Sequence, residues 1–569
     1  MPESSNSISP AVDENYASFI INYGASITFL ERLKQMYTVY VISDTYAIIY
    51  LPIEEANLSS SAAYGYGSIP KCYAPMDLSS VNASGITRLQ THPFVPLRGN
   101  GVAIAMIDSG IDYTNPLFRN NDGSTRIAYL WDQTIESGTP PELFPFGSEY
   151  TADDINAALE SNTPLEVLPS RDTDGHGTFL SGIAAGSENI EERFIGVAPE
   201  SMLMVVKLKP AKTYLRDFFF ITENATVYQE DDIMMALAYV KSCASRLSDI
   251  ALSICLPFGT NMGSHTGSSS LSSYCNILSR LSPLVLSVAG GNEGNARHHY
   301  SETLEVSQEY HPVEFRVGDN VQGFSMEFWG DAPTSHSFIF QSPSGERQTL
   351  VLRPPYGEQN IRFIFVNTII YINFALVENQ TGRQLILFRF SNPAPGLWRL
   401  LVRNNTPFPV KIQLWLPVTS FLSDETYFLR PSPYTTITEP GNAENMITAT
   451  AYDYRNDSLY LNAGRGFSAD DSIVPTLAAP GVDIIGPLPN GRFVTRSGTS
   501  IAAAHTCGAA ALFLEWSVVN QNLPFINGTS VKNYFIRGSR RPKDLQYPNP
   551  EWGYGILDLY NVFESLTTF

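Results

Sequence analysis

The hydrophobic period of this chain changes twice, and that change limits the folds open to it. From Gly101 to about Tyr300, short apolar strands alternate with helical segments: Val102 to Ile107, Leu203 to Lys207, Ile250 to Ile254 and Leu284 to Ala289, with a helix over Asp231 to Arg246. Such alternation predicts a parallel sheet covered by helices on both faces. Between about Glu302 and Leu422 apolar residues recur at every second position instead, as in Val313, Phe315, Val317; Phe324, Met326, Phe328; and Val410, Ile412, Leu414, Leu416. That period predicts an all-β insert, a sandwich or jelly roll of about eight strands. Its Trp329, Trp398 and Trp415 are expected in the sandwich core. After Thr435 the α/β pattern returns, ending in a helix from Ile501 and the stretch Asn549 to Asp558.

Ahead of this, residues 1–76 read as a small α+β unit. It has a strand (Tyr16 to Tyr23), a helix (Ala25 to Met36), a hairpin (Thr38 to Pro52, turning at Ser43-Asp44) and a Ser/Gly/Tyr link, Ser59 to Ser68. The expected division is 1–76, 77–301, 302–430 for the insert, and 431–569. At 569 residues there is room for several cores. A net charge of -20 sets the chain against phosphate backbones and anionic bilayers, so neither nucleic acid nor membrane is expected as a partner. The start lacks a basic and an apolar region, and no segment holds 18 uninterrupted apolar residues, so a cytoplasmic location is expected. Five scattered cysteines suit buried free thiols; none has zinc-site spacing, no EF-hand string is present, and neither metal nor cofactor is expected.

Three segments place a polar residue where an apolar strand ends or a helix begins, the edge that lines the crevice of open α/β sheets. Asp108 follows the strand Val102-Ala-Ile-Ala-Met-Ile; His176 lies between glycines in Asp172-Thr-Asp-Gly-His-Gly-Thr; Ser500 opens the small-residue helix of Ser497-Gly-Thr-Ser-Ile-Ala-Ala-Ala. Each alone has an ordinary reading as a turn former, structural histidine or helix cap. Together they supply what hydroxyl chemistry needs: a nucleophile, a base to take its proton, and a carboxylate to hold the base's tautomer.

The four motifs Ile107-Asp108-Ser-Gly-Ile-Asp, Gly175-His176-Gly-Thr, Val288-Ala-Gly-Gly-Asn292-Glu-Gly-Asn and Ser497-Gly-Thr-Ser500 resemble, in order, those of the subtilisin-like serine proteases. The resemblance implies a serine endopeptidase working through an acyl-enzyme on Ser500, with Asp108 and His176 completing the triad. Asn292 and the Ser500 backbone N–H would form the oxyanion hole, a side-chain donor there being worth about 3 kcal/mol. It further implies that Ser253, Ile254 and Cys255 pair with extended substrate and that Gly290 and Gly291 border the same site. Cys255 stands where the family commonly has glycine, which would narrow the pocket. His298 and His299 read as loop residues.

The N-terminal unit resembles the inhibitory prodomain of these proteases, and Ser79 to Gln90 resembles a mature start, so a self-cut is expected between about Pro70 and Ser80. The long β insert, Ile437-Thr-Glu-Pro-Gly-Asn and Gly259-Thr-Asn-Met-Gly-Ser-His look like the clostridial Csp germination proteases. That branch implies spore association, a prodomain retained non-covalently, and a protein substrate, a cortex-lytic proenzyme. A catalytically silent regulator acting through protein contacts is the alternative reading.

Overall fold

The structure is a computed structural model describing residues 9–56, 65–75, 84–93, 96–331, 333–352 and 356–567. Most of the expected link (59–64), part of the expected cut region (76–80) and residues 79–83 of the expected mature start lie outside the described residues.

The N-terminal unit is a three-stranded antiparallel sheet, β1 (Tyr16–Asn22), β2 (Thr38–Val41) and β3 (Tyr46–Pro52), with β3 central and helix α1 (Ile27–Met36) crossing between β1 and β2. Ser26 caps α1 by accepting from the Phe29 N–H. Downstream, β4 (Cys72–Pro75) leaves this unit as a separate short strand.

The main body is a nine-stranded sheet built on β5 (Val102–Asp108), β6 (Ile127–Asp132), β7 (Ser148–Thr151), β8 (Met202–Lys207), β10 (Ala251–Leu256) and β12 (Leu284–Ala289), completed by β13 (Ile447–Asp453), β14 (Ser458–Leu459) and β15 (Leu477–Pro480). Its order is β14-β13-β12-β10-β5-β8-β6-β7, with β15 paired to β13; only β7 and β14 run antiparallel to their neighbours. The short β9 (Tyr228–Gln229) and β11 (Phe258–Gly259) stand outside it.

Both faces of this sheet are covered, which is why its strands read as unbroken apolar runs. On β5, Val102, Ile104 and Met106 enter the core beneath α2 (His176–Ala185) and α5 (Thr499–Leu514). Ala103, Ala105 and Ile107 enter the opposite core beneath α3 (Glu230–Arg246) and α4 (Ser270–Leu278). Every residue of α5 is buried, as an all-round apolar helix of small residues requires. All five cysteines are buried free thiols.

The insert is a two-layer antiparallel sandwich of one six-stranded and one five-stranded sheet, more strands than the period-two runs alone suggest. The extra strands are short or polar edges, such as Arg347–Leu350 and Tyr356–Arg362. Trp398 lies in the sandwich core, stacked near Phe315. Trp329 and Trp415 do not. They project from the outer face of the six-stranded sheet into the core beside the α/β body, where Trp415 is sandwiched between His265 and His299 at 4.2 and 4.6 Å. His298 and His299 are accordingly buried interface residues rather than loop surface. Burial pushes His265 down to about 4 and His299 to about 3, so this stack is made of neutral rings.

The chain after the sandwich is tied back to the segment beyond β11 by Glu439, whose backbone exchanges bonds with Thr260 at 2.9 and 3.0 Å. Its fully buried carboxyl accepts from Ser272 Oγ at 2.6 Å and Gly267 N at 3.1 Å. Burial outweighs these bonds and pushes it up to about 7. The folded state therefore holds this proton more tightly than the unfolded chain does. The contribution is complete below the ordinary glutamate range and is lost as pH rises through 7. Glu439→Gln is expected to stabilise the protein at pH 8, by on the order of 3 kcal/mol, with the advantage over wild type vanishing below about pH 4.5. Urea melts of both proteins across that range check this.

Candidate active site

The strands β5, β10 and β12 are parallel, so their C-terminal ends open on one edge of the sheet. Asp108 ends β5, fully buried. Its carboxylate accepts the Ser109 N–H at 2.6 Å and faces His176 Nδ1 with both oxygens at 2.8 Å. His176 is the first residue of α2 and is buried. Two glycines permit this approach. Gly175 caps the helix at φ 81, in the left-handed region. Gly177 lies so close to the Gly110 carbonyl that any Cβ would collide with it.

Asp172 locks the arrangement. Its Oδ1 accepts from Ser109 Oγ and Gly175 N, both at 2.8 Å, and its Oδ2 from Thr178 N at 2.8 Å and Thr178 Oγ1 at 2.7 Å. Ser109 Oγ in turn accepts from Gly177 N at 2.9 Å. One carboxylate thus caps α2 and fastens it to the loop after β5. The sequence signal was present, an aspartate four residues before the histidine at a helix start, and was not read as a positioning group.

Ser500 is the second residue of α5, fully buried, and follows an extended Gly498. It therefore sits at the positive end of that helix. α5 packs against α2 and against β10 and β12. The start of α5 is also bonded to the loop after β12: Thr499 N and Oγ1 both donate to Asn292 Oδ1 at 3.1 Å, and Gly291 N donates to Thr499 Oγ1 at 3.0 Å. A backbone N–H can only donate, so the acceptor of Asn292 is fixed as Oδ1 and its Nδ2 is turned away from Thr499.

The expected substrate strand is corrected. Ser253, Ile254 and Cys255 lie inside β10 and are fully buried, with β5 on one side and β12 on the other. Both edges of that strand are taken, so none is left for an extended peptide. Ser253 Oγ donates to the Cys507 carbonyl at 2.8 Å, and burial holds the Cys255 thiol well above its ordinary range. The edge that does receive an extended segment is β11. There β4, from the N-terminal part of the chain, pairs antiparallel with β11 on one side and β9 on the other. Ala74 lies opposite Gly259 and Tyr73 opposite Tyr228. The Tyr73 ring is buried edge-on to Phe258 at 6.0 Å. Pro257, which ends the buried strand, was the signal that the chain changes role here.

Gly290 and Gly291 border this region with their backbone groups already engaged. Gly290 bonds to Ala449 O at 2.9 Å and Thr438 N at 3.1 Å; Gly291 bonds to Thr499 Oγ1 at 3.0 Å and Gly464 N at 2.7 Å. Thr438, fully buried, fills the space between Gly259 and Gly291, where a Cβ on Gly291 would fall 2.6 Å from it. Thr438, not Cys255, is the side chain that narrows this gap. Among the described residues, no cluster of His, Cys, Asp or Glu could hold a metal ion.

The profile of the subtilase family, peptidase S8, matches residues 99–310 and 430–555, more than half of the chain, and skips the sandwich beyond its first strand. The subtilisin-like protease SBT3 of Solanum lycopersicum is 24% identical over 461 residues, covering 74% of this chain and 56% of SBT3. The chain thus spans about half the length of that relative. An intracellular serine protease of Paenibacillus polymyxa is 30% identical over 111 residues, 20% of this chain and 24% of the relative. Among solved structures, the CspB protease of Clostridium perfringens superposes with a TM-score of 0.75 at 29% identity, covering 86% of this chain and 98% of that one. The ordered motifs, the parallel sheet and the matched profile agree: the chain belongs to the subtilase family.

Proposed function

We propose that this subtilase is a serine endopeptidase made as a proenzyme that cuts itself once between about residues 70 and 80. Ser500 Oγ attacks the scissile carbonyl while His176 takes its proton on Nε2, the nitrogen left when Asp108 holds Nδ1. The negative charge that develops on the carbonyl oxygen is met by Asn292 Nδ2 and the Ser500 N–H at the positive end of α5. His176 then protonates the leaving amine, an acyl-enzyme remains on Ser500, and water releases it through the same base. The observation that carries this reading is the Asp108 to His176 contact at 2.8 Å, on the sheet edge where Asn292 is bonded to the start of the Ser500 helix.

The position of β4 supports the rest. It occupies the groove as an added strand, the way an extended peptide is held by main-chain bonds. It lies within the expected cut region, at Cys72–Pro75. An N-terminal unit kept in this place after cleavage acts as the inhibitor of its own enzyme. The resemblance to the Csp branch and the likeness to CspB support a spore-associated role in germination, acting on a cortex-lytic proenzyme. The filled groove is also the observation that favours a silent regulator.

Intact mass of wild type beside Ser500→Ala, after expression without added protease, separates the two readings. Cleavage into a fragment of about 75 residues plus the remainder, in wild type only, is the expected result. Two uncut chains would leave the silent regulator as the better reading.

Retention is testable at Lys212. Its buried ammonium donates to the carbonyls of Pro10, Asp13 and Tyr16 at 2.6, 2.9 and 3.0 Å, joining the N-terminal unit to the body. Lys212→Met leaves these acceptors without their donor, at about 3 kcal/mol, and is expected to speed loss of the cleaved N-terminal unit on the order of 100-fold. Size-exclusion of the processed complex over time reads the difference.

A further inference from the structure

The sandwich is fastened to the α/β body beside its first strand and at the turn after the strand Val410–Trp415, and one carboxylate holds both places. His298 lies just before the first sandwich strand, His299–Leu304, and Thr419 begins a single turn after the strand Val410–Trp415. Buried Glu293 reaches both. Its Oε1 accepts from Thr419 N and Thr419 Oγ1, each at 2.9 Å; its Oε2 accepts from His298 Nδ1 at 2.8 Å and Asn261 Nδ2 at 3.3 Å. Four donors meet the acceptor capacity of one ionised carboxylate. The two places are also braced to each other, because Leu416 N donates to the His298 carbonyl at 2.9 Å and Asn261 Nδ2 to the Leu416 carbonyl at 3.1 Å. Burial pushes the Glu293 carboxyl up, but the bonds from His298 and Thr419 outweigh it and hold the group below its ordinary range.

Glu293 is the residue after Asn292. The segment around Asn292 is therefore gripped from two sides: by Thr499 at the head of the Ser500 helix, and by Glu293 anchored on His298 and Thr419 at the foot of the sandwich. The next residue is fixed as well, since Gly294 N donates to the Asn462 carbonyl at 2.9 Å. Displacements well under 1 Å in a donor to a developing oxyanion are costly in rate. We propose that Glu293 is a positioning residue that couples the seating of the sandwich on the α/β body to the placement of the Asn292 amide. The inserted domain is thereby part of the catalytic apparatus although it contributes no group to the reaction. This rests on the reading of Asn292 as an oxyanion donor.

Glu293→Gln tests the coupling, because a neutral amide places an NH2 against donors on one side of the site. The readout is the first-order rate of self-cleavage of the full chain, alone and in an Asn292→Ala background, with thermal melts of each protein. The same ratios are read from the rate at which a fluorophosphonate probe labels Ser500. Asn292→Ala is expected to slow the reaction on the order of 100-fold. Glu293→Gln is expected to slow it roughly 10-fold, and to add nothing in the Asn292→Ala background, because a residue acting through another has no effect once that other is gone. Thr419→Val, which deletes one hydroxyl and keeps the backbone donor, is expected to slow the reaction about 3-fold and to be equally silent without Asn292. A Glu293 or Thr419 effect of the same size in both backgrounds, or one that follows the fall in melting temperature, overturns the coupling while leaving the oxyanion reading in place. An Asn292→Ala protein as fast as wild type overturns both.

Discussion

A carboxylate buried at the end of β5 dictates the local structure of this site. Asp108 is out of water, and an ionised group there must be met by donors. The chain meets that demand with the Ser109 N–H and the imidazole of His176. To bring the imidazole in, the start of α2 has to touch the loop after β5, which excludes a side chain at position 177 and selects a left-handed residue at 175. Asp172 then fills the exposed end of α2 and ties it to Ser109. Remove the buried charge and none of these neighbours has a reason to be where it is.

The same economy of space governs the helix that bears Ser500. α5 packs against both the sheet and α2, and residues such as Ala502, Ala503, Ala504, Ala509 and Ala510 let it approach both closely. Gly508 sits against Val197 and the Ala184 carbonyl, with no room for a methyl group. Close packing here does more than fill a core. It fixes the position of the N-terminal turn of α5, and hence the direction in which its N–H groups point.

How much of this could be read from the chain follows from the range of each interaction. Asp108, His176, Ser500 and Asn292 announce themselves locally, as polar residues at strand ends or helix starts flanked by glycine, and the structure brings their segments to one sheet edge. The period-two run of the insert was equally plain. What failed were statements about which edge or face a residue uses. An apolar strand such as Ala251–Leu256 looks the same whether its edge is open or paired, so the sequence points to β10 for an added strand, whereas both edges of β10 are paired and β4 adds to β11. Trp398 follows the inward alternation, whereas Trp329 comes directly after Phe328 and is out of step with Phe324, Met326 and Phe328, so the parity of its strand turns it away from the sandwich core and toward the α/β body. Thr438 and Glu293 gave no signal, because their partners are brought to them only by the fold.

Three parts of the chain meet at a second buried carboxylate. Glu327 of the sandwich receives the Tyr66 hydroxyl, from the segment leading into β4, along with the Gly263 N–H of the α/β body at 3.0 Å and the Trp329 indole at 2.9 Å. Burial raises its pKa and these bonds oppose the rise. The Tyr66 ring lies edge-on to Trp329 at 6.2 Å, and Lys71 Nζ lies 4.3 Å above the Tyr66 ring while donating to the carbonyls of Tyr66 and Ile69. The segment entering the groove is thus pressed between body and insert immediately before it becomes a strand. The second attachment of the sandwich, at Glu293, lies beside Asn292. The two carboxylates thus tie the insert both to the segment ahead of β4 and to the loop after β12.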